Sequence, residues 1–140
     1  MTVKKKVLFL CTGNSCRSQM AEAIANKMRG EYWQVFSAGT MPAGYVHPRA
    51  LQVLAEIGIQ HNGTSKHVDF FKGFEFDMVV TVCDSAAEEC PLWLGSGKRV
   101  HLGFPDPARA VGTEQEILQI FRKVRDDIAA RLPVLLKKCE

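Results

Sequence analysis

The amino-acid sequence predicts an α/β fold, namely a four-stranded parallel sheet with helices on both faces. Short apolar runs alternate along the chain with segments of helical periodicity, and this alternation is typical of parallel sheets whose crossovers carry helices. The 140 residues are enough for a single domain, residues 1–140, to bury its own core. Hydrophobic residues make up 46% of the chain and charged residues 24%, which excludes disordered, collagen-like and coiled-coil chains.

The first half of the chain predicts two strands and two helices. Val7–Leu10 is a short all-apolar run, which is typical of a strand buried on both faces of a parallel sheet. Ser18–Arg29 carries apolar residues at helical spacing and predicts the first helix. Trp33–Phe36 alternates like a second strand, and Pro48–Ile57 predicts a second helix that Gly58 stops.

The second half predicts two further strands, over Met78–Val82 and Arg99–Leu102. Between them, Ser85 is placed to cap a short helix that runs through Cys90. In parallel sheets of this kind, ligands bind at the carboxyl ends of the strands. That rule directs attention to three loops, which follow Leu10, Val82 and Leu102.

A long helix is predicted near the end of the sequence. Thr113 followed by Glu116 is a capping-box pattern that opens this helix. Pro133 lacks a backbone N–H, so we expect it to kink or end the helix near Arg131. The residues expected to face the core are Ile117, Ile120, Phe121, Val124 and Ile128.

Composition and charge argue against several classes of function. A net charge of +3 without a basic stripe argues against nucleic-acid binding. No stretch approaches the roughly 18 apolar residues of a membrane helix. The run Val7–Leu10 is also shorter than the about 7–15 apolar residues of a signal peptide. We therefore expect a soluble, cytoplasmic protein, and a monomer, because nothing demands an oligomer.

The chain has five cysteines. An odd number in a domain that can form its own core does not resemble a secreted disulfide framework, and the cytoplasm keeps thiols reduced unless chemistry uses them. Reactive thiols and metal-binding thiols are therefore the alternatives. Zinc is the weaker one, because no cysteine spacing is zinc-like and the histidines are scattered, so we expect no metal site. We assign no role to His47, His61, His67 and His101.

The segment between the first strand and the first helix holds a cysteine and an arginine separated by five residues, Cys11 and Arg17. A short turn between a strand and a helix aims backbone N–H groups inward and makes an anion site at the helix N-terminus. Gly13 permits the close approach that such a turn requires, and Arg17 can clamp a tetrahedral oxyanion with two hydrogen bonds. The predicted oxyanion-binding residues are Thr12, Gly13, Asn14, Ser15, Cys16, Arg17 and Ser18.

This loop is also expected to activate the thiol of Cys11. Lowering a thiol pKa from about 8.5 to about 6 requires roughly 3 kcal/mol of preference for the thiolate. A helix terminus supplies about 0.3–2 kcal/mol, so Arg17, the hydroxyl of Ser18 and the loop amides must supply the rest. The alternative is a buried, inert cysteine beside an unrelated turn.

The arrangement Cys-x5-Arg-Ser after a first strand resembles the low-molecular-weight tyrosine phosphatase superfamily. The resemblance implies that Cys11 is a nucleophile and that Arg17 is the oxyanion clamp. It also implies that Asp106, which lies between two prolines in a stiff loop, is the general acid that protonates the leaving oxygen. An ordinary turn aspartate is the alternative. The superfamily contains two chemistries, so the loop alone does not decide the function.

Two further cysteines lie near the third strand. Cys83 ends that strand at the same sheet edge as Cys11, and Cys90 follows seven residues later on the predicted short helix. Seven helical residues span about 10.5 Å, which exceeds the roughly 7 Å that a disulfide can bridge. A Cys83–Cys90 disulfide would therefore require the helix to unwind, which suits a redox switch. Two buried structural cysteines are the alternative.

Three motifs resemble the thioredoxin-coupled arsenate reductases: CTGNSCRSQMAE, the Cys83/Cys90 pair followed by Pro91, and FPDPARAVGTE. The resemblance implies reduction of arsenate, or binding of related tetrahedral oxyanions, through a redox-active relay of Cys11, Cys83 and Cys90. Thioredoxin would then be the external reductant, and no organic cofactor would be needed. The alternatives are a low-molecular-weight protein tyrosine phosphatase and a redox-sensing binding protein that does not turn over.

Several members of the family bind potassium beside the loop. The matching positions here are Asn14, Glu22, Ser37 and Thr64. The family stretch Thr-Ser-Asp reads Thr-Ser-Lys in this chain, and the ammonium of Lys66 can replace the cation, so potassium binding is not expected. Asp84 also departs from the glycine that often follows Cys83. The remaining cysteines, Cys16 and Cys139, are expected to be bystanders.

Overall fold

The computed structural model describes residues 3–84 and 97–140. Four parallel strands form one sheet in the order β2-β1-β3-β4, which confirms the predicted fold class. The strands are β1 (Lys5–Cys11), β2 (Trp33–Gly39), β3 (Met78–Thr81) and β4 (Lys98–His101). The short helix predicted from Ser85 through Cys90 lies outside the described residues.

Strand β1 occupies the centre of the sheet. It pairs with β2 on one side, from Lys5 opposite Trp33 to Cys11 opposite Gly39. On the other side it pairs with β3, and β3 pairs in turn with β4. All four side chains of the apolar run Val7–Leu10 are completely buried, as the sequence predicts. Because β1 is central, its last residue lies at the middle of the sheet's carboxyl edge.

In the described part of the chain, three α-helices accompany the sheet: α1 (Arg17–Arg29), α2 (Pro48–Ala55) and α3 (Glu114–Lys138). The predicted capping box at Thr113 is present at the start of α3. Gly58, with a φ of +79°, follows the end of α2 in the left-handed conformation that glycine tolerates best. Within the described ranges, no helix is both long and apolar enough to cross a membrane.

Adjacent residues of β2 show how the two faces of the sheet are covered. The hydroxyl of Ser37 donates a hydrogen bond to Glu22 of α1, with 2.8 Å between the oxygens. The ring of Phe36 must point to the opposite face, because neighbouring strand residues alternate. On that face it packs edge-on against Phe71 and Phe76, with ring centroids 5.5 and 5.7 Å apart. Helix α1 and this aromatic group therefore lie on opposite faces.

Helix α3 does not end near Arg131, so of the two expected effects of Pro133 the ending of the helix is wrong. The helix continues through Pro133 to Lys138. Proline removes one backbone hydrogen bond, but the side chains of Leu132 and Leu136 around it are fully buried. Burial of a leucine side chain contributes roughly 1.5–3 kcal/mol, so the two leucines outweigh the lost bond.

The expected inward face of α3 also needs one correction. Ile120 is 39% exposed, whereas Leu118 is 4% exposed and packs in the core. The three inward residues Phe121, Val124 and Ile128 are buried as expected, and Ile117 is partly buried against the core. The apolar stripe is therefore rotated slightly from the one that the sequence suggests.

Replacing Pro133 by alanine should raise the free energy of unfolding by roughly 1–2 kcal/mol. Alanine restores a backbone donor and the helix propensity that proline lacks, while the more flexible unfolded chain offsets part of the gain. Urea denaturation followed by circular dichroism measures the change. Val134→Ala, at the exposed neighbouring position, is the control and should change stability by less than about 0.5 kcal/mol. A destabilised Pro133→Ala variant would contradict this assignment.

Candidate active site

The Cys11–Arg17 loop lies between the end of β1 and the start of α1. Backbone hydrogen bonds fasten it to the segment that follows β2. Thr40 donates to the carbonyl of Cys11, and Met41 donates to that of Thr12. Gly39 makes this close approach possible, because a Cβ atom at position 39 would lie 2.3 Å from the Thr12 carbonyl oxygen. The segment that follows β2 therefore holds the first residues of the loop in place.

The sulfur of Cys11 receives two short contacts inside this loop. The Oγ atom of Ser18 lies 2.7 Å from Sγ, and the backbone N–H of Asn14 donates to Sγ over 3.1 Å. Asn14 adopts a φ of +47°, in the left-handed region that asparagine reaches more easily than most residues. This local conformation turns the Asn14 amide back toward the cysteine.

The side chain of Asn14 is completely buried and uses all its hydrogen-bonding capacity. Its Nδ2 group donates to Ser18 over 2.8 Å and to Ser37 over 3.0 Å. Its Oδ1 atom accepts from the side chain of Gln19 over 3.1 Å and from the backbone of Lys66 over 3.0 Å. Because Ser18 accepts from Asn14, its own hydroxyl proton is available to a Cys11 thiolate.

Burial raises the pKa of the Cys11 thiol above its ordinary value, although the hydrogen bonds from Ser18 and Asn14 act in the opposite direction. This result differs from the lowered pKa expected from the sequence. The local sequence does not reveal that Cys11 is only 2% exposed, and part of the expected stabilisation of the thiolate comes from Arg17. The guanidinium of Arg17 is instead bound elsewhere.

Arg17 binds the segment that follows β4. Its Nη1 group donates to the carbonyl of Phe104 over 3.2 Å, and its Nη2 atom lies 3.6 Å from the Oδ2 atom of Asp106. The other carboxylate oxygen of Asp106 accepts from the backbone of Ala108 over 3.0 Å. The structure therefore brings the predicted clamp and the predicted general acid into direct contact.

A cavity of about 200 Å³ opens beside this pair. The predicted residues that line it are Cys11, Gly13, Ser15, Cys16, Arg17 and Asp106. Thr12, Asn14 and Ser18 are not among the lining residues; Asn14 and Ser18 are fully buried behind the loop. These two residues therefore support the loop rather than line the cavity.

Sequence reasoning missed one wall of this cavity, which is formed by Ala43, Tyr45, His47 and Ala108. Three of these residues lie in the loop after β2, whose carboxyl end reaches the same sheet edge as that of β1. Applying the strand-end rule to β2 as well would have found them.

Cys83 lies on the other side of the Cys11 loop. Its side chain is buried, and its Sγ atom lies 3.4 Å from the Oγ1 atom of Thr12. A second opening, lined by Cys83, shares Arg17 and Asp106 with the first cavity. Cys11 and Cys83 therefore flank the same arginine and aspartate. Cys90 belongs to the part of the chain that is not described.

The two expected bystanders, Cys16 and Cys139, have different surroundings. Burial and, to a lesser extent, the nearby negative charge of Asp106 raise the pKa of Cys16 to about 12. Cys16 therefore remains a protonated thiol at neutral pH. Cys139 lies far along the chain, where its sulfur is 3.8 Å from the Nζ atom of Lys98.

Oxygen atoms at the positions of the family's potassium site already accept hydrogen bonds from other groups of this chain. The Thr64 carbonyl accepts from the Nζ group of Lys66 over 2.7 Å and from the Gln19 side chain over 2.9 Å. The hydroxyl of Ser37 donates a hydrogen bond to Glu22. Burial lowers the pKa of Lys66, and the negative charge of Glu22 opposes that effect. These residues do not fit a bound potassium ion. In the described ranges, no cluster of three His, Cys, Asp or Glu side chains could hold a metal.

Residues 6–140 match the family model described as low molecular weight phosphotyrosine protein phosphatase. The match covers nearly the whole chain, including the loop, Cys83 and Asp106. The chain belongs to this family.

Within the family, its relatives include reductases. The chain is 48% identical over 130 residues to an arsenate reductase of Halalkalibacterium halodurans, covering 92% of this chain and 93% of that protein. It is also 48% identical over 129 residues to an arsenate reductase of Bacillus subtilis, covering 91% and 92% of the two chains. A solved structure described as an arsenate reductase in the phosphate binding state aligns with a TM-score of 0.82 and 31% identity, over 97% of this chain and 99% of that one.

Replacing Ser18 by alanine should slow alkylation of Cys11 by iodoacetamide at pH 7 by about tenfold to a hundredfold. The Ser18 hydroxyl lowers the pKa of the thiol, and a hydrogen bond to a charged group is worth roughly 1.5–3 kcal/mol. Without it the pKa rises further, and less thiolate is present at a given pH. Mass spectrometry of the Cys11 peptide over a range of pH measures this rate.

Ser37→Ala provides a graded comparison. Ser37 touches Asn14 but not the sulfur, so its loss should slow alkylation less than the loss of Ser18. Equal rates in the wild type and in Ser18→Ala would show that the hydroxyl does not stabilise the thiolate.

Proposed function

We propose that this protein is an arsenate reductase that uses a relay of thiols. The observation that supports this most directly is the second buried thiol, Cys83, in contact with the loop of the candidate nucleophile Cys11. Hydrolysis of a phosphoester needs one nucleophilic cysteine, whereas reduction of arsenate needs two electrons from a pair of thiols. The relatives named arsenate reductases support the same choice.

The substrate is a tetrahedral oxyanion bound in the cavity beside Cys11. Arg17 supplies a positive charge on the wall of that cavity, and guanidinium groups bind such oxygens with paired hydrogen bonds. Helix α1 starts at Arg17, so its N-terminal partial charge favours an anion at the same place. Arsenate and phosphate share shape and charge, which agrees with the phosphate-binding state described for a similar structure.

In the first step the Cys11 thiolate attacks arsenic. A sulfur–arsenic bond forms and one arsenate oxygen leaves as water after protonation. The oxygen that leaves is the hydroxyl of arsenate, which already carries one proton. Asp106, protonated from solvent once Arg17 has turned to the substrate, supplies the second proton, since its carboxyl group is one of the walls of the cavity. In this step Arg17 would exchange its present contact with Asp106 for the oxygens of the substrate.

In the second step Cys83 attacks the sulfur of Cys11. The sulfur–arsenic bond breaks with both electrons passing to arsenic, so arsenate leaves as arsenite and a Cys11–Cys83 disulfide remains. Cys90 then attacks Cys83, which frees Cys11 and moves the disulfide to Cys83–Cys90. Thioredoxin, the external dithiol reductant in this proposal, restores the two thiols. Such a cycle uses no organic cofactor and suits a monomer in the reducing cytoplasm.

One assay tests the proposed function. The protein is incubated with arsenate, thioredoxin, thioredoxin reductase and NADPH, and NADPH oxidation is compared with hydrolysis of an aryl phosphate. We expect arsenate-dependent NADPH oxidation at several turnovers per protein. Hydrolysis of the aryl phosphate without arsenate reduction would instead identify a phosphatase and would reject the proposal.

Cysteine variants separate the steps of that reaction. Cys11→Ser should abolish even a single turnover, whereas Cys90→Ser should release at most one arsenite per protein and then stop. Cys139→Ser is the matched control, at a cysteine outside both the relay and the cavity. Sustained thioredoxin-coupled turnover by Cys90→Ser would remove that residue from the mechanism.

We also propose that the ammonium of Lys66 takes the place of a bound potassium ion. The wild type should then reduce arsenate at equal rates in sodium and potassium chloride. Lys66→Met leaves Glu22 without its nearby cation, and this variant should be slower and partly restored by potassium. Lys72→Met, at an exposed lysine outside the site, is the control. Strong activation of the wild type by potassium would contradict the proposal.

A further inference from the structure

The imidazole of His47 has a defined protonation pattern. His47 precedes α2 and caps that helix, because its Nδ1 atom accepts a hydrogen bond from the backbone of Arg49 over 3.1 Å. A ring nitrogen that accepts carries no proton, so the neutral ring carries its proton on Nε2. Nε2 makes no hydrogen bond to any other residue that the structure describes. Among the described residues, Nε2–H is therefore a donor without a partner.

The ring of His47 is also held firmly against the cavity. It lines the same cavity as Cys11 and Arg17, and its backbone N–H donates to the carbonyl of Ser15 over 3.0 Å. On its other side it packs against the fully buried Phe121, with ring centroids 4.9 Å apart. A donor fixed to both the loop and α3 loses little freedom when it binds a ligand.

A second donor on the cavity wall would add to the binding that Arg17 can provide. Arg17 is the one cation among the described lining residues. Arg49 is close to His47 in the sequence, but its charge is paired with Glu114. Its Nε and Nη2 groups both donate to that carboxylate, over 3.0 and 2.7 Å. Burial and the charge of Arg49 lower the pKa of His47, while Asp106 opposes them. The imidazole therefore stays neutral at neutral pH and keeps its Nε2–H.

We propose that His47 is a binding residue of the site, whose Nε2–H donates a hydrogen bond to an oxygen of the bound oxyanion. This inference rests on the proposed function, because it assumes that the cavity holds a tetrahedral oxyanion. His47 lies on the wall formed by the loop after β2, whereas Arg17 comes from the start of α1. Two separate elements, the start of α1 and the loop after β2, therefore each supply a donor to the oxyanion.

The test is the affinity of His47→Asn for inorganic phosphate, measured by isothermal titration calorimetry. Asparagine keeps an oxygen that can cap α2 but removes the Nε2–H. Losing a hydrogen bond to a charged ligand should weaken phosphate binding by about tenfold to a hundredfold. In the arsenate assay, KM should rise by a similar factor with little change in kcat.

His67 offers a closely matched control. Its Nδ1 atom also accepts from the backbone two residues later, that of Asp69, over 2.9 Å, and it caps the short 3-10 helix Val68–Phe71. It does not line the cavity. His67→Asn should therefore bind phosphate within twofold of the wild type. Equal phosphate affinity in both variants and in the wild type would overturn the inference.

A measurement on the wild type removes any dependence on how the variants fold. Nitrogen-15 spectra should show His47 with its proton on Nε2, and phosphate should shift that resonance but not the one of His67. If phosphate shifts the amides of the Cys11 loop without the His47 signal, the inference about His47 fails and the proposed function stands. If His47 responds but no arsenite forms in the coupled assay, the proposed function fails alone.

Discussion

The candidate site depends on one buried amide, the side chain of Asn14. Its four hydrogen bonds join the Cys11 loop to α1, to β2 and to the segment around Lys66. A buried amide that lost one partner would carry a cost of about 1–3 kcal/mol, so these elements must keep their positions together. The candidate nucleophile Cys11 is thus aligned by groups that do not line the cavity.

Much of this arrangement follows from local sequence. The buried strand Val7–Leu10, the capping box at Thr113 and the place of Cys11 between a strand and a helix are all set by residues close in the chain. The course of α3 through Pro133 is different, because the burial that outweighs the lost hydrogen bond comes from contacts with distant elements. Propensity describes a segment alone and contains no information about such contacts.

The same limit applies to the site. The spacing of Cys11 and Arg17 predicts an anion loop, but it cannot show how deeply the sulfur is buried, and burial decides the direction of its pKa. Nor can spacing show that Arg17 pairs with Asp106, which is 89 positions further along the chain. Contacts of this kind arise when the ends of β1 and β4 are brought to one edge of the sheet.

Gly39 sets the distance between β2 and the Cys11 loop. Its hydrogen atoms face the Thr12 carbonyl at a separation that no carbon atom could occupy, so every alternative amino acid would push the loop away from β2. Substitutions of the lining residues need not change the distance between strand and loop, whereas any side chain at position 39 would change it. The residue that sets the position of the loop is therefore not one of the residues that line the cavity.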